Sequence, residues 1–152
     1  MRVYLMRHGK AVSKKTDPER PLAAEGRRQV AAVARRLAKI GIRPAEVRHS
    51  PKLRARQTAE IAAEALSSRA VEVPGLRPND PVEPIARDLE TGAEDVMIAG
   101  HLPSLEDLVS LLVARDESAP VVDMPTGAVV ALERDDDEEV WRIVWMHTPE
   151  TA

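Results

Sequence analysis

The chain opens on Met1-Arg-Val-Tyr-Leu-Met-Arg-His-Gly-Lys10, and the reading of these ten residues decides the fold. Val3, Tyr4, Leu5 and Met6 are a continuous run of β-compatible apolar side chains, the pattern of a strand buried on both faces. Arg7-His8-Gly9 ends that run abruptly. Glycine breaks the strand and lets backbone approach a ligand closely. A cation and an imidazole are thereby presented at the carboxyl end of a buried strand, where open α/β sheets bind their ligands.

Outward from this stretch, strands and helices alternate. Residues 10–21 are polar, contain Pro18 and Pro21, and read as a loop on the surface or over the site. A helix is expected from Ala24 to Lys39, with Val30, Val33, Ala34, Leu37 and Ala38 on its inner stripe and Gly41 as its stop. Arg27, Arg28, Arg35, Arg36 and Lys39 make its solvated face. A strand from Ala45 to His49 leads to Ser50-Pro51, where Ser50 is expected to cap a helix from Lys52 to Leu66. Thr58, Ile61, Ala62 and Ala65 form that helix's inner stripe. Val71 to Val73 is a brief strand, Pro74 to Pro81 is irregular, and Glu83 to Glu90 is a short helix.

The opening pattern then recurs: Asp95-Val-Met-Ile-Ala99 reads as a strand, and Gly100-His101 follows it. Pro103 starts a helix buried through Leu105, Leu108, Val109 and Leu112. Residues 128–134 and 139–146 read as two strands around the acidic turn Asp135-Asp-Asp-Glu-Glu139, a solvated hairpin tip. Trp141 and Trp145, four apart in a strand, are expected on one face. The order of elements predicts a three-layer α/β/α sandwich with a mostly parallel central sheet and an antiparallel edge strand, in a single domain over residues 1–152.

Bulk composition excludes several functions. At 43% hydrophobic and 31% charged residues the chain is globular, and a net charge of -3 gives it no general attraction to nucleic acid or an anionic membrane. Without cysteine it has no disulfide, thiolate metal site or thiol nucleophile. No apolar run reaches membrane-spanning length and none reads as a signal peptide, so a cytoplasmic location is expected.

Three strand ends carry the chemistry: Arg7-His8-Gly9, Ser50-Pro51 with Arg54 one turn into its helix, and Gly100-His101. Parallel strands end on one side of a sheet, so these groups can share a pocket. Two arginines and two histidines describe a phosphate site, because guanidinium grips phosphate bidentately and helix N-termini add N–H donors. The spacing matches no zinc pattern and the neighbouring arginine pair disfavours a divalent ion, so neither histidine is expected to bind metal. Neighbouring arginines penalise a second positive charge and favour a neutral His8, and neutral imidazole is a nucleophile. Ser50 lacks a Gly-x-Ser-x-Gly elbow and does not read as a hydrolase nucleophile. His49 and His147 read as structural, and Lys10, Ser13 and Asp17 as loop residues within reach of a substrate.

Arg7-His8-Gly9, Ser50-Pro-Lys-Leu-Arg-Ala-Arg-Gln-Thr-Ala59 and Ala99-Gly-His101, in this order along the whole chain, resemble the histidine phosphatase superfamily. Gly100-His-Leu-Pro-Ser-Leu105, Pro125-Thr-Gly-Ala128 and the short length look most like its SixA-type phosphohistidine phosphatases. The resemblance implies that His8 is phosphorylated, that Arg7, Arg54 and His101 hold the phosphoryl group beside Gly9 and Leu102, and that water hydrolyses the intermediate without metal or cofactor. Many phosphomonoesterases of the superfamily carry an acid after the third strand. Here that segment is Leu76-Arg-Pro-Asn-Asp80, with Asp80 and Glu83 only nearby and no large insertion. A protonated imidazole leaves without the general acid that an alkoxide needs. The substrate expected is therefore a phosphohistidine protein, with a small phosphorylated molecule, or a non-catalytic phosphate-binding module, as the alternatives.

Overall fold

Side chains of β1 (Arg2–Arg7) alternate between two cores, and that alternation sorts the whole molecule. The computed structural model describes residues 1–135, 137 and 140–151. Val3 and Leu5 face one core with Val96, Ile98, Val130 and Leu132, while Tyr4 and Met6 face the other with Met97, Ala99, Val129 and Ala131. All four β1 side chains are at most 3% exposed. Full burial of each such side chain contributes about 1.5–3 kcal/mol, which is why a run apolar on both faces settles in the middle of a sheet.

The sheet has six strands in the order β3-β2-β4-β1-β5-β6. Strands β2 (Val47–His49), β3 (Ala70–Glu72) and β4 (Val96–Gly100) pair in parallel, and β4 pairs in parallel with β1. β5 (Val129–Asp135) runs antiparallel to β1, and β6 (Val140–His147) antiparallel to β5, so the antiparallel pairing lies at one side as expected. Helices α1 (Ala24–Lys39) and α2 (Leu53–Ala65) cover the Tyr4 face; α3 (Glu83–Thr91) and α4 (Ser104–Ala114) cover the Val3 face. The result is the expected three-layer α/β/α sandwich.

Several local expectations shift. The inner stripe of α2 is Ala55, Thr58, Ala59, Ala62 and Ala63, with Ile61 and Ala65 only half-buried. Small side chains there let α2 lie close to α1 and the sheet. Ala38 is exposed, and the inner stripe of α1 ends at Leu37. The two tryptophans part company. The register passes from Ala131 opposite Trp145 to Leu132 opposite Ile143, leaving Val144 as an extra residue. A bulge of this kind inverts the facing of every later residue. Trp141 therefore joins the core under α3 and α4, while Trp145 packs on Tyr4 on the opposite face, ring centroids 5.9 Å apart. In the acidic turn, residues 136, 138 and 139 lie outside the described residues, and Arg142 donates to the Asp135 carboxylate at 3.1 Å.

The loop after β1 is tied down at its two ends. Ala11 bridges Leu22, the Val12 N–H donates to the Pro21 carbonyl at 2.9 Å, and the Ala23 N–H donates to the Lys10 carbonyl at 2.9 Å. This closure brings the Lys10 backbone onto α1 at Gly26, where an added Cβ stands 2.1 Å from the Lys10 carbonyl oxygen. Helix propensity favours alanine over glycine by about 1 kcal/mol, but the contact is with backbone that cannot swing aside. Gly26→Ala is expected to lower the unfolding free energy by about 2 kcal/mol, measured by denaturant titration. A stabilised variant would show that the loop does not sit on α1.

Candidate active site

Register sets the site. Arg7 lies opposite Gly100 and His49 opposite Ala99, so β1, β2 and β4 end in step. His8 and His101 consequently leave the sheet as neighbours, with ring centroids 5.3 Å apart. The His8 N–H donates to the Gly100 carbonyl at 2.9 Å, continuing the ladder one residue beyond the strand. Arg54, from the first turn of α2, acts electrostatically on both rings.

Backbone partners fix the tautomer of His8. Its Nδ1 stands 2.7 Å from the Gly9 carbonyl, which can only accept, so Nδ1 carries the proton. In the neutral ring Nε2 then holds a free lone pair. The Gly9 N–H donates to Thr58 Oγ1 at 3.0 Å, and that hydroxyl donates to the Arg54 carbonyl at 2.8 Å. Fully buried Thr58 thus ties the His8 loop to the turn that carries Arg54.

His101 is held from the other side. Its Nε2 lies 2.6 Å from Ser50 Oγ, which also accepts the Lys52 N–H at 3.3 Å. With one amide donated to it, the hydroxyl is free to donate to Nε2. A neutral His101 then carries its proton on Nδ1, a buried atom without a partner. Ser50 was expected only as a helix cap; α2 instead begins at Leu53 after Lys52, and the serine hydroxyl serves the imidazole. The helix N-termini are also partly engaged, since the Leu105 N–H donates to the His101 carbonyl at 2.9 Å.

Burial, more than charge, keeps both rings neutral. It pushes His8 down from 6.5 to about 4, with Arg54, Arg7 and Arg20 adding to the effect and the bond to Gly9 opposing it. Burial likewise pushes His101 down to about 3, helped by His8, Arg54, Lys52 and Arg20. The arginines expected to neutralise His8 therefore contribute, but behind desolvation.

Arg7 Nη1 donates to the Met124 carbonyl at 2.8 Å, and the Met124 N–H donates to Glu106 at 2.8 Å. The Nε atoms of Arg7 and Arg54 are buried and unpartnered. Among the described residues four buried side-chain polar atoms lack a partner, and three of them are Arg7 Nε, Arg54 Nε and His101 Nδ1. All three are on side chains that neighbour or act on His8, and unpaired buried donors of this kind are what an anion can satisfy. Arg20, which sequence reading missed, acts on Arg54 and both histidines from the loop after β1. Its φ of 52° and the absence of periodicity in that loop left no signal in the sequence.

Other residues fall outside this cluster. Gly9 has its N–H and carbonyl committed to Thr58 and His8, and an added Cβ meets Val30 Cγ2 at 2.7 Å. Its missing side chain makes room for Val30 and Gly26 of α1. Leu102 follows His101 but packs half-buried against the core under α3 and α4. Lys10 pairs with Glu25 at 2.9 Å, and the Asp17 carboxylate accepts the Glu19 N–H at 3.0 Å. Asp80 accepts the Arg77 N–H at 2.8 Å and so closes its own turn. Glu83 lines a separate hollow with Trp141. His49 binds the Ser50 carbonyl through Nδ1 at 2.8 Å, and His147 stacks near Trp145, as structural histidines do. Ser13 lines a cleft of about 720 Å³ beside the site, with Lys14, Arg20, Lys52 and Arg54. Among the described residues no helix is long and apolar enough to cross a membrane.

Comparison with known proteins agrees with this geometry. The sequence model of the histidine phosphatase superfamily (branch 1) matches residues 3–81, so the chain belongs to that superfamily. An uncharacterised protein of Picosynechococcus is 36% identical over 113 residues, covering 69% of this chain and 68% of that protein. The structure of the protein histidine phosphatase SixA complexed with tungstate is 28% identical, with a TM-score of 0.86 over 98% of this chain and 97% of that one. A mycobacterial glucosyl-3-phosphoglycerate phosphatase complexed with VO3 is 20% identical, with a TM-score of 0.72 over 95% of this chain and 98% of that one; it shares the fold. The chain is SixA-like, with the fold of a phosphatase.

The depressed histidines have a consequence for stability. Unfolded, His8 titrates near 6.5; folded, near 4, so between these values the unfolded chain binds more protons. The stability present above pH 6.5 is therefore lost as pH falls toward 4. His8→Asn is expected to remove about 2 kcal/mol of the difference in unfolding free energy between pH 7 and pH 4.5. Equal pH dependence in both proteins would mean that His8 is not held neutral by the fold.

Proposed function

We propose that the protein is a phosphohistidine phosphatase that passes the phosphoryl group through Nε2 of His8. The observation that carries this reading is the neutral His8, with its proton fixed on Nδ1, among side chains of Arg7, Arg54 and His101 that keep unpartnered donors. Tungstate in the SixA structure is an oxyanion of phosphate-like charge, which supports an oxyanion at this cluster.

The lone pair of His8 Nε2 attacks phosphorus in line, the P–Nε2 bond forms, and the bond to the leaving group breaks. The phosphorylated ring keeps its Nδ1 proton and becomes cationic, and the Gly9 carbonyl, 2.7 Å away, accepts from it. Arg7, Arg54 and the Nδ1–H of His101 stabilise charge on the phosphoryl oxygens. Ser50 holds the proton of His101 on that nitrogen. Water then attacks phosphorus, P–Nε2 breaks, neutral His8 is restored, and one proton of the water passes to phosphate or solvent.

The leaving group follows from what surrounds the rings. The charges acting on His8 belong to Arg54, Arg7 and Arg20, and Asp80 and Glu83 are turned to other tasks. An alkoxide needs a proton from an acid; an imidazole protonated on its second nitrogen departs neutral. The broad cleft that Arg54 lines also leaves room for a segment of a protein substrate.

Purified protein should hydrolyse a phosphohistidine peptide with kcat/KM at least about a hundredfold above that for sugar phosphates, the scale of one general acid. Ser50→Ala should lower kcat/KM about tenfold on any substrate, because one mispositioned donor costs on the order of 1–2 kcal/mol. Efficient hydrolysis of sugar phosphates with phosphohistidine left untouched would favour the small-molecule reading.

A further inference from the structure

The cleft beside the phosphate cluster is lined from two sides. The loop after β1 contributes Lys14, Glu19 and Arg20, and the segment entering α2 contributes Lys52, Arg54 and Arg56. Five of these six are cations, in a protein whose net charge is -3. Composition therefore does not place them; the fold does, by closing the 10–22 loop at Ala11 and Leu22 so that its tip faces the start of α2.

These cations are differently engaged. Arg54 belongs to the phosphate cluster, and Arg20 reaches toward it while its Nε donates to the Val12 carbonyl at 3.2 Å. Arg56 pairs with Glu60 at 2.7 Å. Lys14 and Lys52 are exposed and make no ion pair with any described residue. Lys52 is nonetheless close enough to act on His101. Two ammonium groups without an ion pair to any described residue thus stand one on each wall of the cleft, which Arg54 also lines.

We propose that this cleft is a subsite for carboxylates on the substrate, so that the protein selects phosphohistidine segments flanked by Asp or Glu; the substrate part of this inference rests on the function proposed above. Each ammonium acts as a point charge with rotatable donors, suited to carboxylates at variable positions along a peptide. Glu19 is the one carboxylate of the lining, against five cations. The volume, about 720 Å³, accommodates several residues of a peptide beside the phosphorylated one.

Binding of fluorescein-labelled hexaglutamate, followed by anisotropy at low salt, tests the subsite without any catalytic step. Lys14→Gln/Lys52→Gln should weaken it roughly five- to twentyfold, the worth of two exposed charge pairs, and added salt should erase the difference. Hexaglutamine should not bind. Turnover is the second readout: an Asp-flanked phosphohistidine peptide should be hydrolysed faster than its Asn-flanked counterpart, and in the double variant the ratio of the two rates should fall close to one. Hexaglutamate binding equally to wild type and double variant would overturn the subsite. So would tripolyphosphate binding tightly where hexaglutamate does not. Carboxylate binding intact, with no phosphohistidine peptide hydrolysed, would overturn the substrate assignment and leave the carboxylate subsite standing.

Discussion

The parallel pairing of β1 with β4, with Arg7 opposite Gly100, is the constraint on which the rest depends. It makes two strands end together, so that His8 and His101 emerge side by side although 92 residues separate them in the chain. A slip of one residue would turn every side chain of β1 to the other core, exchanging Val3 and Leu5 with Tyr4 and Met6. The two cores offer different partners, and that difference pins the register. The energy that positions the imidazoles is thus supplied by apolar packing, not by the polar groups of the site.

Once positioned, the polar groups are held in a definite state by hydrogen bonds to backbone and hydroxyls. The Gly9 carbonyl fixes the tautomer of His8, which in its neutral form offers a lone pair at Nε2; a Ser50 hydroxyl donating to Nε2 of His101 leaves that ring its proton at Nδ1. Desolvation keeps the rings neutral, and the arginines around them keep unpaired donors. Burying such donors costs about 1–3 kcal/mol apiece, a cost that on the proposed reading preorganises the site for an anion. On the proposed reading, the carboxylate-poor surroundings and the adjoining cationic cleft choose the leaving group, while the buried cluster performs the transfer.

Much of this was legible in the sequence. Periodicity located all ten elements, and the three strand-end motifs named Arg7, His8, Arg54 and His101, which the sheet brings to one place. What escaped was set by tertiary register. Ser50 looks like a helix cap locally, and only the pairing of β2 with β4 puts its hydroxyl on His101. Thr58 looks like one residue of an inner stripe, and Gly26 like a weak point in a helix, until the loop from β1 lies against them. Arg20 sits in a loop without periodicity, so no spacing announces it. The bulge at Val144 separates Trp141 from Trp145, and an extra residue in a strand leaves no mark on a two-residue alternation.

The most direct test of the account is to trap the phosphorylated protein and ask which nitrogen carries phosphorus. Brief reaction with a phosphodonor, quenching in base, and phosphorus NMR of the digested protein distinguish the two phosphohistidine isomers. Because Nδ1 is bound to the Gly9 carbonyl at 2.7 Å, the account predicts a base-stable, acid-labile phosphate on Nε2 of His8, absent from His8→Ala. Phosphate on Nδ1, or labelling that persists in His8→Ala, would contradict it.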